Sequence, residues 1–189
     1  MANRQTRPEP IVRLRERSPK AGPAAYAGTM VLLVLGLCGL GGLVIGQPLL
    51  FPSLAPTVML FVESPHAPTS APRSVILGHL VGIAAGFGML HLFGLADNPP
   101  MTQEGLTGVR VVAASLSVAL TAVVLSLLKA QHPPGGTTAL LFSLGLFTSP
   151  TEIAVVVGGV LLLVVIGVAV NRLLGVRQSL WGPESEAHA

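Results

Sequence analysis

Charge is scarce in this sequence. Only 10% of its 189 residues are Asp, Glu, Lys or Arg, against roughly 25% in a typical soluble domain. Hydrophobic residues make up 51% of the chain, and its mean hydropathy is +0.73. These values exclude a soluble enzyme or a soluble binding domain. They predict an all-α polytopic membrane protein whose first partner is the lipid bilayer.

Cysteine and buried acid are also scarce. Cys38 is the single cysteine, which excludes a disulfide framework and a cysteine-based metal cluster. None of the eight acidic residues lies in the middle of a long apolar run, where cation transporters usually bury carboxylates. No catalytic triad, phosphate loop or pair of buried carboxylates is present either. We therefore predict no catalytic residue, no metal, no cofactor and no cation selectivity.

Long apolar runs are what the sequence does contain, at 24–45, 74–95, 107–128 and 153–174. Each has 22 residues, and such a helix is about 33 Å long, enough to cross a hydrocarbon core of about 30 Å. Six of the eleven Lys and Arg residues precede residue 24. They predict a cytoplasmic N-terminus by the positive-inside rule and not a nucleic-acid partner.

We expect three parts in the chain. A basic cytoplasmic tail covers 1–23, a single membrane domain covers 24–175, and a C-terminal tail covers 176–189. The Arg-rich start and the absence of a transit peptide favour a bacterial inner membrane, with the protein multi-pass and both termini cytoplasmic.

The membrane domain contains an internal repeat. Shifting the sequence by 81 residues aligns Pro52 with Pro133, Thr57 with Thr138 and Phe61 with Phe142, and it aligns long run with long run. The repeats cover about 24–95 and 105–175, and each reads as long helix, short broken or re-entrant helix, long helix. The short elements, at about 49–62 and 135–147, are too short to span alone.

Two topologies remain open at this point. If the short elements are re-entrant, there are four spans and the repeats are parallel. If each short element crosses together with an extended flank, there are six crossings and the repeats are inverted. The balance of basic residues favours inversion by a single residue and does not decide between them.

The short elements carry the candidate site. Residues 132–138 read His-Pro-Pro-Gly-Gly-Thr-Thr, and prolines at a first turn open a helix at little cost. A helix N-terminus offers free N–H donors and about half a positive charge, which suits a small anion. The alternative is that this motif only turns the chain and caps a helix. The predicted substrate-binding residues are His132, Pro133, Pro134, Gly135, Gly136, Thr137, Thr138, Pro56, Thr57, His79 and Arg73.

Two of these residues carry open alternatives of their own. His79 either adds polarity to the pathway or is a satisfied packing histidine. Arg73, at the start of a long run, is either a positive-inside anchor or an attractor of anions at a pore mouth. The histidines lack metal-site spacing, so a metal site is not expected.

At these residues the chain resembles the HPP family of small integral membrane proteins, named for a motif matched by His132-Pro133-Pro134. Gly135, Gly136 and Thr138 also match, and so do Ser-Pro-His-Ala-Pro at 64–68 and Gly-His at 78–79. The resemblance implies four transmembrane helices. Some plant and cyanobacterial members are implicated in nitrite transport, so the resemblance makes nitrite the best guess for the substrate.

The sequence therefore favours a transporter or channel for a small monovalent anion that uses two half-helix N-termini. The alternative is an accessory or scaffolding subunit of a larger membrane complex. A homo-oligomer is also open, because four or six short helices enclose little volume.

Overall fold

The computed structural model describes residues 18 and 20–181, and within them all regular structure is helical. These described residues form seven α-helices, with a 3-10 turn at Pro68–Ser70 between the second and the third. The helices are α1 (Ala21–Ile45), α2 (Leu54–Glu63), α3 (Pro72–Leu92), α4 (Met101–Glu104), α5 (Gly108–Leu127), α6 (Pro134–Ser143) and α7 (Pro150–Leu173). The basic tail predicted at 1–23 lies almost wholly outside the described residues.

The four long helices α1, α3, α5 and α7 confirm the predicted polytopic membrane protein. Their ends fall within three residues of the predicted runs, and side-chain caps mark the starts of α5 and α7. The Thr107 hydroxyl accepts from the Arg110 N–H at the start of α5. At the start of α7, Ser149 and Glu152 form a capping box, with Pro150 at the first helical position.

The short helices α2 and α6 have 10 residues each, about 15 Å of helix. Both are shorter than predicted. Residues 46–53 are not helical: Gly46 ends α1 in the left-handed conformation at φ 65°, and Pro48 and Pro52 lack N–H donors. At the other short helix, Gly145 at φ 75° closes a Schellman turn after Ser143.

Contacts between helices fix their relative directions. Tyr26, near the start of α1, donates to Asn171 near the end of α7, so α1 and α7 are antiparallel. Arg73 at the start of α3 donates to the Leu128 carbonyl just after α5, so α3 and α5 are antiparallel too. The 3-10 turn before α3 meets the end of α2, where the Ser70 hydroxyl donates to the Leu60 carbonyl.

Glycines let each short helix lie directly against a long helix. Along α3, Gly78 contacts His132, Gly82 contacts Gly135, and Gly86 contacts Ala139 and Phe142. The contacting residue numbers increase along both helices together, so α6 runs parallel to α3. Along α7, Gly159 contacts Phe51 and Gly167 contacts Phe61, so α2 runs parallel to α7.

The two sets of glycine contacts are related by the same 81-residue offset. The Gly78–His132 contact corresponds to Gly159–Phe51, and the Gly86–Phe142 contact corresponds to Gly167–Phe61. Each short helix therefore packs on the last long helix of the other half of the chain. Because each short helix packs on the other half of the chain, the N-terminal ends of α2 and α6 meet in the interior.

Candidate functional site

The first turns of α2 and α6 lie side by side and run in opposite directions. The hydroxyls of Ser53 and Thr138 are 2.9 Å apart, and Thr57 Oγ1 lies 3.2 Å from His132 Nε2. The two helices thus meet at their N-terminal ends, each presenting hydroxyl groups to the other. Both ends are proline-bearing, as the sequence predicts.

We define the histidine–threonine cluster as Ser53, Thr57, His79, His132 and Thr138. His79 comes from α3 and bridges the two short helices: its Nε2 lies 3.2 Å from Thr57 Oγ1 and its Nδ1 lies 2.7 Å from Thr138 Oγ1. All five side chains are at most 2% exposed. Four of the predicted site residues therefore form one buried polar cluster.

The cluster is fully hydrogen-bonded. His132 Nδ1 lies 2.9 Å from the Thr69 carbonyl, and Thr57 Oγ1 lies 3.0 Å from the Ser53 carbonyl. The two imidazole rings are 5.2 Å apart between centroids. Among the described residues, no buried side-chain nitrogen or oxygen lacks a partner. Such a network is stable as it stands, and a solute enters only by replacing some of its bonds.

Helix packing holds His132 in this position. A Cβ at Gly78 would lie 2.7 Å from the His132 Cβ, and a Cβ at Gly135 would collide with the Gly78 carbonyl. Only glycine at both positions allows α6 to start against α3 with the imidazole inside. The glycines of the motif thus have a packing function beside any role toward a ligand.

Backbone N–H groups at the start of α6 are already engaged. Gly135 N–H donates to the His132 carbonyl, and Gly136 N–H donates to the Pro133 carbonyl. The first-turn donors invoked from sequence therefore bond within the chain in this conformation. The side-chain hydroxyls and imidazoles are the groups that face one another across the centre.

Three open pockets lie near the cluster, and two of them have a cluster histidine in their wall. Pro56, Pro133, Pro134 and Thr137 line a cavity of about 450 Å³ together with Glu63. A second cavity, of about 310 Å³, has His132 and Gly136 in its wall. A third, of about 190 Å³, has His79 in its wall and is otherwise apolar. The proline-bearing tips are thus flanked by hollow space.

Arg73 does not join the cluster. Its guanidinium donates to the Leu128 carbonyl at the end of α5, 3.2 Å away. It therefore covers a carbonyl at a helix C-terminus, a position that suits a cation. Of the eleven predicted site residues, the structure brings Thr57, His79, His132 and Thr138 into direct contact and places Pro56, Pro133, Pro134, Gly136 and Thr137 around adjoining cavities.

Sequence reasoning missed Ser53 as a site residue. Ser53 lies four positions before Thr57, and its carbonyl and hydroxyl contact Thr57 and Thr138 respectively. The spacing of four between two hydroxyl residues at a proline-bearing helix start was the available signal. The Thr69 carbonyl carried no such signal, because its approach to His132 depends on tertiary packing.

Two further polar groups, also missed, cover the opposite ends of the short helices. Arg110 is fully buried and donates to the Leu144 and Pro99 carbonyls and to the Glu104 carboxylate. Asn171, also fully buried, donates to the Phe61 carbonyl at the end of α2. In the low-dielectric interior these donors replace the water that would otherwise solvate helix C-termini.

Within the described residues, no group of three or more His, Cys, Asp or Glu side chains is placed to hold a metal ion. The cluster offers two imidazoles and three hydroxyls, a set that hydrogen-bonds a small polar solute. It contains no carboxylate.

Family comparison places these features in context. The family described as "HPP, transmembrane region" matches residues 16–179. The chain belongs to the HPP transmembrane family. This HPP protein is 34% identical over 89 residues to a transmembrane protein of Dictyostelium discoideum, a match that covers 47% of this chain. The match covers 25% of that relative, so this chain spans far less than its whole length. No solved structure matches the chain.

Proposed function

We propose that this HPP-family protein moves a small monovalent anion across a membrane, with nitrite as the candidate substrate. One observation carries the proposal: the N-terminal ends of two short helices meet around a buried cluster of hydroxyls and imidazoles, with open pockets beside it. Short, proline-interrupted segments in two halves are typical of transporter binding sites.

The cluster suits an anion better than a cation. Hydroxyl and imidazole N–H groups donate hydrogen bonds, and a bond to a charged partner contributes about 1.5–3 kcal/mol. Two or three such bonds partly offset the dehydration of a small anion and still allow its release, which conduction requires. The first-turn amides of α6 add further donors if the Gly135 and Gly136 bonds open.

We also propose that the two halves are inverted repeats. Support comes from the antiparallel run of α2 against α6. Because α6 runs parallel to α3 and α2 parallel to α7, the equivalent long helices α3 and α7 also run in opposite directions. Further support comes from the 81-residue offset between equivalent glycine contacts. In this arrangement each short helix crosses half of the bilayer and an extended segment crosses the rest. The binding site then lies near the midplane, where half-helices meet in inverted-repeat transporters.

The membrane and orientation are part of the same proposal. The protein is multi-pass, and we place it in a bacterial inner membrane with both termini cytoplasmic, as the basic N-terminal residues favour.

Flux through purified protein tests the proposal. Proteoliposomes carrying the protein should take up nitrite faster than protein-free vesicles, and the Thr57→Val, Thr138→Val double variant should lose most of the difference. Each valine keeps the side-chain shape and removes a hydroxyl from the cluster. The matched control is Thr29→Val, since Thr29 lies exposed on α1.

Nitrate, formate and chloride are measured in parallel to define selectivity among monovalent anions. Uptake equal to that of protein-free vesicles for all four anions would contradict the proposal. That result would favour the accessory or scaffolding subunit of a larger complex.

A further inference from the structure

Hydrogen-bond partners assign the proton positions on His132. Its Nδ1 faces the Thr69 carbonyl at 2.9 Å, and a carbonyl only accepts, so Nδ1 carries a proton. In a neutral ring Nε2 is then a bare acceptor. The donor within reach is the Thr57 hydroxyl, 3.2 Å away.

The same reasoning assigns His79. When the single Thr57 proton is given to His132, the Thr57 oxygen must accept from His79, whose Nε2 therefore carries a proton at 3.2 Å. His79 Nδ1 is then bare and accepts from the Thr138 hydroxyl at 2.7 Å. Thr138 has then given its single proton to His79, so the Ser53 hydroxyl donates to Thr138 at 2.9 Å and begins the chain. The neutral cluster is a continuous, one-directional hydrogen-bond chain with opposite tautomers on its two histidines.

Thr57 has a second acceptor for its proton. Its Oγ1 also lies 3.0 Å from the Ser53 carbonyl. When His132 gains a proton on Nε2, the Thr57 hydroxyl can turn to that carbonyl and accept from both imidazoles. Thr57 and the two imidazoles thus stay hydrogen-bonded in the neutral cluster and in the cluster with one extra proton.

We propose that Thr57 relays a proton between His79 and His132, and that the anion crosses together with that proton. This rests on the proposed function. In the relay, an extra proton arrives on His79 Nδ1, His79 Nε2–H passes its proton to the Thr57 oxygen, and the Thr57 hydroxyl proton moves to the bare His132 Nε2. One N–H bond breaks and another forms, Thr57 remains a neutral hydroxyl, and the positive charge moves from one ring to the other. His79 Nδ1 holds the extra proton and donates it to Thr138, whose own hydroxyl then donates to Ser53.

No charged side chain of the neighbouring described helices bonds to the two histidines of the cluster. The positive charge that offsets a bound anion must therefore come from the cluster itself. The helices around it carry Glu63 on α2, Arg73 on α3, Arg110 on α5, and Glu152 and Arg172 on α7, while α6 carries no charged side chain. None of these charged side chains is a hydrogen-bond partner of His79 or His132. Glu63 lines the cavity at Pro133 and Pro134. An anion that enters this site is therefore neutralised by a proton on the histidine pair, and the transported unit carries no net charge.

Voltage and pH dependence of nitrite uptake test the coupling. Initial rates are measured in wild-type proteoliposomes with the membrane potential clamped, after subtraction of protein-free vesicles, because nitrous acid crosses lipid unaided. A coupled wild type responds to an inside-alkaline pH gradient and not to voltage. One pH unit then favours accumulation by up to about tenfold. Uptake that depends on voltage but not on the pH gradient would overturn the coupling of anion to proton without contradicting anion transport.

Variants at Thr57 test whether its hydroxyl passes the proton between the two histidines. Thr57→Val should abolish the response to the pH gradient, whereas Thr57→Ser keeps a hydroxyl and should retain it. A response preserved in Thr57→Val would overturn the role of Thr57. No uptake by wild type under any gradient would contradict anion transport itself, which separates the two failures.

The tautomers of the two buried histidines can be measured by NMR spectroscopy, without a variant at Thr57 and without a transport assay. In ¹⁵N-histidine-labelled protein in lipid nanodiscs, the neutral state should contain His132 protonated on Nδ1 and His79 protonated on Nε2. The signals are assigned from His66→Gln, His91→Gln and His188→Gln variants. Finding both buried rings protonated on Nε2 would overturn the relay, because His132 would then leave the Thr69 carbonyl unpaired.

Discussion

At the residue scale, the smallest side chains set how closely α6 approaches α3. Gly82 faces the Gly135 carbonyl with no room for a Cβ, whereas Gly88 has nothing within 4 Å of its Cβ position. We expect Gly82→Ala to destabilise the fold by about 1–3 kcal/mol, the usual cost of overpacking. Gly88→Ala should be neutral or stabilising by up to about 1 kcal/mol, since alanine favours helix. Thermal unfolding in detergent compares the two, and equal midpoints would contradict the packing argument.

The buried polar residues show what local sequence could and could not reveal. Thr57, Thr138 and His132 could be predicted because they lie near prolines at helix starts, and His79 because it lies near the start of a long apolar run. Arg110 is fully buried, and nothing in the local sequence indicated that it would be. Its partners Glu104, Leu144 and Pro99 come from two separate loops, so their convergence on one guanidinium follows from tertiary packing and not from spacing.

Arg110 should therefore be far more important for stability than Arg73. Arg110→Met leaves the Leu144 and Pro99 carbonyls and the Glu104 carboxylate without this donor, and breaking a buried ion pair costs about 3–5 kcal/mol. Because Glu104 is partly exposed, with 35% of its side chain accessible, we expect the lower end of that range. Arg73 is half-buried and makes a single bond to the Leu128 carbonyl, so Arg73→Met should cost about 1 kcal/mol or less. The difference between their unfolding midpoints checks this, and a larger loss for Arg73 would contradict it.

At the element scale, hydropathy located the long helices and failed at the ends of the short ones. Length and apolar composition are enough to define a spanning helix, and caps such as the Ser149–Glu152 box lie where the runs begin. The short helices were predicted too long because apolar residues continue past their true ends. Leu49 and Phe51 are buried without being helical, and Leu146 follows the Gly145 turn. Hydrophobicity indicates which residues are buried, whereas backbone geometry determines where each helix ends.

Each short helix is held at both ends by polar contacts. Its N-terminal end joins the histidine–threonine cluster, and its C-terminal end is covered by Arg110 or by Asn171. Asn171 also accepts from Tyr26 and donates to Gln178, whose amide donates to the Ser70 carbonyl. Val176 and Gln178, which the sequence assigned to the C-terminal tail, are therefore buried against the helices.

Removal of the buried amide should loosen α2. Asn171→Leu leaves the Phe61 carbonyl and the Tyr26 hydroxyl without this partner, and an unsatisfied buried group costs about 1–3 kcal/mol. Hydrogen exchange at the last turn of α2 should accelerate, while exchange in α6 should stay unchanged. Tyr26→Phe removes one bond of the same network and serves as the milder variant. Faster exchange in α6 instead would show that Asn171 does not act on α2.

At the scale of the whole molecule, the outer faces of the long helices are apolar and exposed. Leu43 is 80% exposed on α1, and Leu127 is 79% exposed on α5. In water such faces would aggregate, whereas a bilayer solvates them. The histidine–threonine cluster, Arg110 and Asn171 instead face the protein interior, as expected where backbone and charge must be satisfied within the membrane.

The direction of each helix leads to a test of topology. The 3-10 turn and its preceding loop lie at the same end of the molecule as the start of α1 and the end of α7, because Ser70 contacts Leu60 and Gln178, and Asn171 contacts Tyr26. The loop between α3 and α5 lies at the other end, where Arg110 meets Pro99. Six crossings therefore place His66 on the side of the N-terminus and Asn98 on the opposite side. Four spans with re-entrant short helices would reverse both positions.

Cysteine labelling measures this difference directly. Cys38→Ala removes the single native thiol, which is buried, and His66→Cys or Asn98→Cys then adds one exposed thiol in that background. In sealed membrane vesicles of known orientation, a membrane-impermeant maleimide should reach position 98 from the side opposite an N-terminal tag and position 66 from the side of the tag. Cys38→Ala alone controls for labelling of other groups. Labelling of position 66 from the side opposite the tag would exclude inverted repeats and return the short helices to re-entrant loops, because the extended flanks would then not complete a crossing.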